Sequence, residues 1–199
     1  MRLIATSVIV LAAAAFAIPA AAAIVTFDTP LLPEVPGATG SGFATVIFDT
    51  GLHQMSISTN WSGLSGTTTV AHIHCCVNAP GTVGVAVTPG TFPGFPVGVS
   101  AGSYATVLDL TLSSTYTAGF RNNFGGGTVA GAEAALLAGM LAGRSYLNIH
   151  TTTFPGGEIR GFLAPVPEPE SWALLIVGFG LLGGAMRRRG ALWLRRSAA

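Results

Sequence analysis

The chain has 199 residues, of which 50% are hydrophobic and only 9% are charged. Most of its arginines lie beyond residue 186. Between Ile24 and Pro165 three arginines stand against six carboxylates, which leaves this body with a net charge of −3. A mildly acidic body without a basic patch argues against nucleic acid as a binding partner.

The first 23 residues have the features of a secretory signal peptide. Arg2 precedes an apolar run from Leu3 to Ile18, and small alanines lead up to Ala23. A basic start, an apolar stretch and small residues before the cut are typical of segments that signal peptidase removes. We therefore predict a signal peptide over residues 1–23. The alternative is a retained membrane anchor.

A series of short strands is predicted downstream. Residues 24–42 are rich in proline, which predicts an N-terminal arm or an edge strand, because proline lacks the donor that an inner strand needs. Period-two patterns then predict further strands over residues 43–48, 53–61, 70–75, 83–87 and 103–112, and a hairpin over 146–163. Short strands separated by Gly, Pro and Ser clusters predict an all-β fold. We expect an antiparallel β-sandwich with a superoxide-dismutase-like or immunoglobulin-like Greek key over residues 43–164.

One segment breaks the strand pattern. Residues 131–143 are rich in alanine and leucine, and Leu137 and Leu141 lie four residues apart. This composition and spacing predict one short helix. We expect it to cover one end of the sheet.

Residues 165–199 form a tail with three parts in a fixed order. The parts are the motif Pro167, Glu168 and Pro169, an apolar run over residues 171–186, and the basic cluster Arg187, Arg188 and Arg189. The tail resembles the PEP-CTERM sorting signal of Gram-negative bacteria. The resemblance implies a transmembrane segment that an exosortase recognises and removes. It also implies release or attachment at the cell surface or in an extracellular polysaccharide matrix. The alternative is an ordinary C-terminal anchor.

Two separated stretches of the body carry a second resemblance. They are Ala71-His72-Ile73-His74 with the later Pro80-Gly81, and residues 146–151 (YLNIHT) with residues 155–161 (PGGEIRG). In this order they resemble the CHRD domain. The resemblance implies a β-sandwich, and it implies little about activity because the family has no settled enzymatic role.

Three histidines form a candidate metal site. Alternate side chains of a strand point to the same face, so His72 and His74 share one face, and His150 shares a face with Asn148. If the two strands are neighbours, three imidazoles meet, and such a set suits zinc or copper. The alternative is that these histidines bond to backbone groups or to each other in a packed sheet. His53 has no aspartate at a helpful spacing, which argues against a dismutase site.

The hairpin contains two charged residues on one predicted face. Glu158 and Arg160 are two apart, and we predict that they form an ion pair that braces the hairpin. The alternative is a ligand or catalytic carboxylate beside a cation. Asn148 and Thr151 are predicted to tie down the hairpin turn.

Cys75 and Cys76 are adjacent and are the only cysteines. In an oxidising exported setting we predict a disulfide between these two neighbours, which would stiffen the turn after His74. Two alternatives remain open. Their thiols could add to the metal site, where thiolates would favour zinc or Cu(I), or they could bridge two molecules.

The sequence contains no identifiable nucleophile–base arrangement and no spaced carboxylate pair for glycoside hydrolysis. The first functional hypothesis is therefore an exported, non-enzymatic structural or binding module. Its candidate partners are exopolysaccharide or another surface protein, besides signal peptidase and exosortase during export. The second hypothesis is a metal-binding protein that holds copper or zinc through His72, His74 and His150.

Overall fold

The computed structural model describes residues 23–167, 176–182 and 187, so the predicted signal peptide lies almost entirely outside the described residues. The elements of the body are β1 (Ile24–Pro33), β2 (Ser41–Asp49), β3 (Gln54–Ser62), β4 (Thr68–Cys75), β5 (Val85–Val87), β6 (Gly102–Asp109), a 3₁₀ turn (Ser113–Thr115), α1 (Ala118–Phe124), α2 (Val129–Leu141), β7 (Ser145–Thr151), β8 (Ile159–Phe162) and β9 (Ala164–Pro165).

The strands form one curled antiparallel sheet. Its order is β5-β4-β7-β8-β1-β2-β3-β6, and β9 pairs with β1. β1 joins the two halves, because Ile24 to Leu31 pair with β2 whereas Leu32 and Pro33 pair with β8. The predicted all-β antiparallel class is confirmed. The curl encloses a single core to which both halves contribute buried side chains.

The position of β1 differs from the expected arm or edge strand. It lies inside the sheet, between β8 and β2. Phe27 and Leu31 point inward and are 0% exposed, and each such burial contributes about 1.5–3 kcal/mol. Pro30 is near the end of the β1–β2 ladder and Pro33 is the last residue of the strand. The hydrogen bonds that they cannot donate are worth only about 1 kcal/mol each, so the inward pattern decides the assignment.

Two helices cover the core. α2 begins two residues before the predicted helix, where the Thr128 hydroxyl accepts a hydrogen bond from the Gly131 amide at 3.0 Å. Such a cap satisfies an otherwise unpaired amide of the first turn. One short helix was expected, and the structure contains a second one, α1, which is shorter than α2 and is capped by Thr117. Leu136 of α2 and Phe120 of α1 are buried in the core.

Within the part of the chain that the structure describes, no single helix is long and apolar enough to cross a membrane. α1 and α2 meet that test only as a pair, with a bend of 80° between them.

Candidate metal centre

The pairing of β4 with β7 brings the predicted histidines together. His72 is the Cα partner of Asn148, Val70 is the partner of His150, and His74 is the partner of Tyr146. Paired residues of an antiparallel ladder point to the same face of the sheet. The side chains of His72, His74, Asn148 and His150 therefore lie side by side on the face opposite to the core.

One ring nitrogen from each histidine lies within 4.8 Å of the others. The ring of His72 is nearly perpendicular to both neighbouring rings, with centroid distances of 5.7 Å to His74 and 5.2 Å to His150. His72 and His74 are only 7% and 8% exposed. Nitrogens on a tetrahedral zinc ion lie about 3.3 Å apart, since Zn–N bonds measure about 2.0–2.1 Å. The rings would have to move toward one another to reach that spacing.

Each imidazole is held from behind by a backbone carbonyl. The pairs are His72 Nε2 with Gly90 O at 2.8 Å, His74 Nδ1 with Val83 O at 2.7 Å, and His150 Nδ1 with Pro155 O at 2.7 Å. A neutral imidazole that donates to a carbonyl through one nitrogen carries a lone pair on the other. This backing fixes the tautomer and is the usual outer support of metal-binding histidines.

The front of the cluster consists of unpaired acceptors. Within the described residues, four buried atoms here have no hydrogen-bond partner: His72 Nδ1, His74 Nε2, His150 Nε2 and Asn148 Oδ1. Buried polar atoms normally find a partner, and exceptions call for an explanation such as an ion. A cation bound by these four lone pairs would supply that explanation.

The electrostatics of the cluster favour the neutral, metal-binding form of His72 and His74. Burial lowers the pKa of His72 to about 4; the Gly90 carbonyl opposes this shift, and the neighbouring imidazoles of His150 and His74 add to it. Burial likewise lowers the pKa of His74, against the opposing effect of the Val83 carbonyl. A metal therefore does not have to displace protons from these two rings at neutral pH.

An aromatic and cationic layer borders the cluster on the β8 side. Tyr146 stacks on His74 with a centroid distance of 4.6 Å and an angle of 5° between the rings. The guanidinium of Arg160 lies 5.2 Å from the centroid of Tyr146 and 5.6 Å from that of Phe162. Cation–π contacts of this kind restrict the position of both the arginine and the ring.

Arg160 pairs with Glu34 instead of the predicted Glu158. Its Nη1 lies 3.2 Å from Oε1 of Glu34, and the exposed fractions of the two side chains are 14% and 8%. The same guanidinium donates to the carbonyls of Pro80 at 2.7 Å and Gly81 at 3.3 Å. The prediction applied strand alternation to Glu158. This residue precedes the first residue of β8, and its carboxylate points toward Thr151 and Ser65 instead of Arg160.

Glu158 is fully buried and ties the hairpin to the loop before β4. Its carboxylate accepts from the Thr151 hydroxyl at 2.6 Å and from the Ser65 amide. Burial alone would raise the pKa of Glu158, but these donors more than offset it, so that the pKa is lowered. Thr151 also accepts from the Phe154 amide at 3.1 Å, in the turn where it was predicted to act. Asn148 instead lies within the histidine cluster.

The structure joins Cys75 and Cys76 in a disulfide. Cys75 is 1% exposed and belongs to the core, on the opposite face of β4 from His74. Gly139 of α2 packs directly against the two sulfurs, because a Cβ atom there would collide with both. The disulfide thus packs the end of β4 against the helical layer. The sulfurs lie on that side of the sheet, away from the three imidazoles.

The sorting motif is only partly within the described residues. Pro167 is exposed at the end of the body, and Arg187 is an exposed residue in helical conformation. Glu168, Pro169, Arg188 and Arg189 lie outside the described residues. The Val166 amide donates to Thr26 O at 2.8 Å, so the tail leaves the body beside β1.

Comparisons with known proteins identify both parts of the chain. A family model described as the CHRD domain matches residues 25–163, and a model described as the PEP-CTERM protein-sorting motif matches residues 165–189. No curated protein and no solved structure matches the chain. The matched range includes β1, in agreement with the position of this strand inside the sheet. The chain belongs to the CHRD-domain family, and its PEP-CTERM motif marks it as an exported protein that an exosortase sorts to the cell envelope of a Gram-negative bacterium.

Proposed function

We propose that this CHRD domain is a metal-binding module of the cell envelope that holds one zinc or copper ion through His72, His74 and His150. The observation that carries the proposal is the set of three buried ring nitrogens without hydrogen-bond partners, each on an imidazole backed by a carbonyl. A packed sheet that used these histidines only as hydrogen-bond donors would gain nothing from turning three lone pairs toward one another.

The donor set determines the metal class. Neutral imidazoles bind both Zn(II) and copper, whereas Mg²⁺ and Ca²⁺ prefer oxygen ligands. A metal ion that binds the folded state and not the unfolded state stabilises the folded state by RT ln(1 + [L]/Kd). This amounts to about 2.7 kcal/mol when the free metal concentration is 100 times Kd. Metal binding and thermal stability should therefore rise together.

Two single-histidine variants test the proposal. The full chain is expressed with its terminal segments, purified in detergent, and loaded with Zn(II) or Cu(II) before excess metal is removed. We expect one ion per chain in the wild type and in His53→Ala, because His53 pairs with Glu133 away from the cluster. His74→Ala should lose the ion. A wild type that retains neither metal, or a His74→Ala variant that retains it equally well, contradicts the proposal.

A second candidate function rests on the outer face of β2, β3 and β6. A shallow depression of about 320 Å³ is lined there by Thr45, Ile47, Ser56, Ser58, Ala105 and Val107 of the outer face, and by the strand residues Ile57 and Thr106 between them. The absence of charge among these lining residues suits a neutral polysaccharide of the extracellular matrix. Co-sedimentation with a neutral exopolysaccharide, lost in Ile47→Glu and retained in Leu52→Glu, tests this structural role.

A further inference from the structure

We propose that Asn148 is the fourth protein donor of the metal centre and binds the ion through Oδ1, and that the Glu34–Arg160 ion pair sets the orientation of its amide. This inference rests on the proposed function and adds a ligand and a site class to it. A site with four protein donors is closed, as structural zinc sites are, whereas catalytic sites keep one position for water.

The ladder places Asn148 at the centre of the cluster. It is the Cα partner of His72 on β4 and of Arg160 on β8, and it precedes His150 by two residues. Its side chain is 1% exposed and points to the same face as the imidazoles. The Oδ1 atom is buried and has no hydrogen bond of standard geometry among residues 23–167, and the side chain lies close enough to His74 to oppose the lowering of that ring's pKa.

The carboxylate of Glu34 favours one orientation of the Asn148 amide by charge. A Cβ atom built on Gly157 would collide with Oε2 of Glu34 and would lie 3.0 Å from Nδ2 of Asn148, so both atoms border this turn, although no hydrogen bond joins them and Oε2 has no partner among the described residues. An amide NH₂ beside a carboxylate is favourable, whereas the flipped amide would turn Oδ1 toward Oε2, acceptor against acceptor. Nδ2 therefore belongs on the side of Glu34, and Oδ1 belongs on the side of the imidazoles.

Arg160 holds this arrangement in place. Its guanidinium fixes Oε1 of Glu34 at 3.2 Å and also donates to the Pro80 and Gly81 carbonyls. Those two residues lie in the loop that carries Val83, whose carbonyl orients His74. One arginine thus supports the amide donor on one side and an imidazole donor on the other, which makes it a positioning residue of the site.

The number of acceptors favours an ion over a water molecule. Three ring nitrogens and Oδ1 are buried without a hydrogen-bond partner among the described residues, and a neutral ring that donates to the carbonyl behind it carries a lone pair on its front nitrogen. A water molecule has two hydrogens and can donate to only two of these acceptors. A tetrahedral cation binds all four, and three nitrogens with one amide oxygen suit Zn(II) or Cu(II) better than Cu(I), which prefers sulfur.

The test replaces the amide by a side chain of similar size that cannot bind metal. In the full chain, Asn148→Leu should lower the Zn(II) affinity by about 10–100-fold in a chelator competition. The exposed Asn60 of β3 provides the control, and Asn60→Leu should leave the affinity unchanged. In the Cu(II)-loaded protein, Asn148→Leu should raise the relaxation rate of bulk water protons, because exchangeable water takes the vacated position. A merely structural asparagine would not produce that change.

Two outcomes separate this inference from the proposed function. If the wild type binds no metal, the proposed function is wrong. If the wild type binds one ion and Asn148→Leu matches it in affinity and in water relaxation, only the fourth donor is wrong. Asn148→Asp covers the case in which the leucine variant does not fold. It retains an oxygen donor and adds a charge, so it should bind Cu(II) with an altered electron paramagnetic resonance spectrum. An unchanged spectrum contradicts the proposal.

Discussion

Gly157 provides the sharpest test of the packing behind the metal centre, because its neighbour Gly156 offers a matched control. Gly157 has a φ of +127°, in the region that glycine favours, and lies against the Glu34 carboxylate and the Asn148 amide. Gly156 has nothing within 4 Å of a Cβ atom. The same methyl group, added one residue apart in the same turn, should destabilise the fold at position 157 and leave its stability nearly unchanged at position 156.

The expected magnitude for Gly157→Ala has two parts. A non-glycine residue in a sparsely populated backbone region costs about 1–3 kcal/mol. Forcing an extra carbon into a packed site costs about 1–3 kcal/mol. We therefore expect the free energy of unfolding to fall by about 2–6 kcal/mol in Gly157→Ala, and to change by no more than about 0.5 kcal/mol in Gly156→Ala.

Chemical denaturation of the metal-free protein, followed by circular dichroism, measures both variants. The methyl group at position 157 also pushes on the two atoms that orient Asn148, so Gly157→Ala should weaken Zn(II) binding while Gly156→Ala should not. Equal stabilities for the two variants would refute the close packing of Glu34, Gly157 and Asn148 from which the orientation of the amide is derived.

Three further predictions concern the surroundings of the site. Arg160→Leu leaves the Glu34 carboxylate buried without its cation and should cost about 3–5 kcal/mol in the free energy of unfolding; a loss below 1 kcal/mol in denaturation would contradict the ion pair. The lowered pKa of Glu158 means that its ionised form stabilises the fold above the unfolded value of about 4.3, and that this contribution disappears as the pH falls through the folded pKa. Glu158→Gln should flatten the pH dependence of the free energy of unfolding in that range. An unaltered pH profile would contradict the stabilising role of the ionised Glu158 carboxylate. Gly139→Ala should lower the melting temperature because its methyl group meets the disulfide, whereas Gly119→Ala in α1 has open space and should raise the free energy of unfolding by up to about 1 kcal/mol; the reverse order would contradict the packing of α2 on the sulfurs.

Local alternation was sufficient to predict which residues share a face. His72 and His74 lie together because side chains two apart on a strand always do, and the same rule aligns Asn148 with His150. The rule does not extend past the end of a strand, which is why it paired Glu158 with Arg160 incorrectly. The structure instead uses Glu158 to hold the turn through Thr151 and Ser65.

The long-range partners of the site were not predictable from local patterns. Glu34 follows a proline-rich stretch, and nothing in its sequence neighbourhood indicates that it meets Arg160. Proline content suggested an edge position for β1, yet the burial of Phe27 and Leu31 places it inside the sheet. α1 was missed because its sequence, AGFRNNF, contains a glycine and two asparagines, which are weak helix formers. Its cap and its contacts with the core stabilise it instead.

The identity of the atoms around a bound ion is the most direct test of the central claim. X-ray absorption at the zinc or copper edge of the loaded full chain should show three imidazole ligands at about 2.0–2.1 Å and one further oxygen, with no sulfur. Fewer than three imidazoles, a sulfur ligand, or failure of the folded protein to retain any metal would contradict the account.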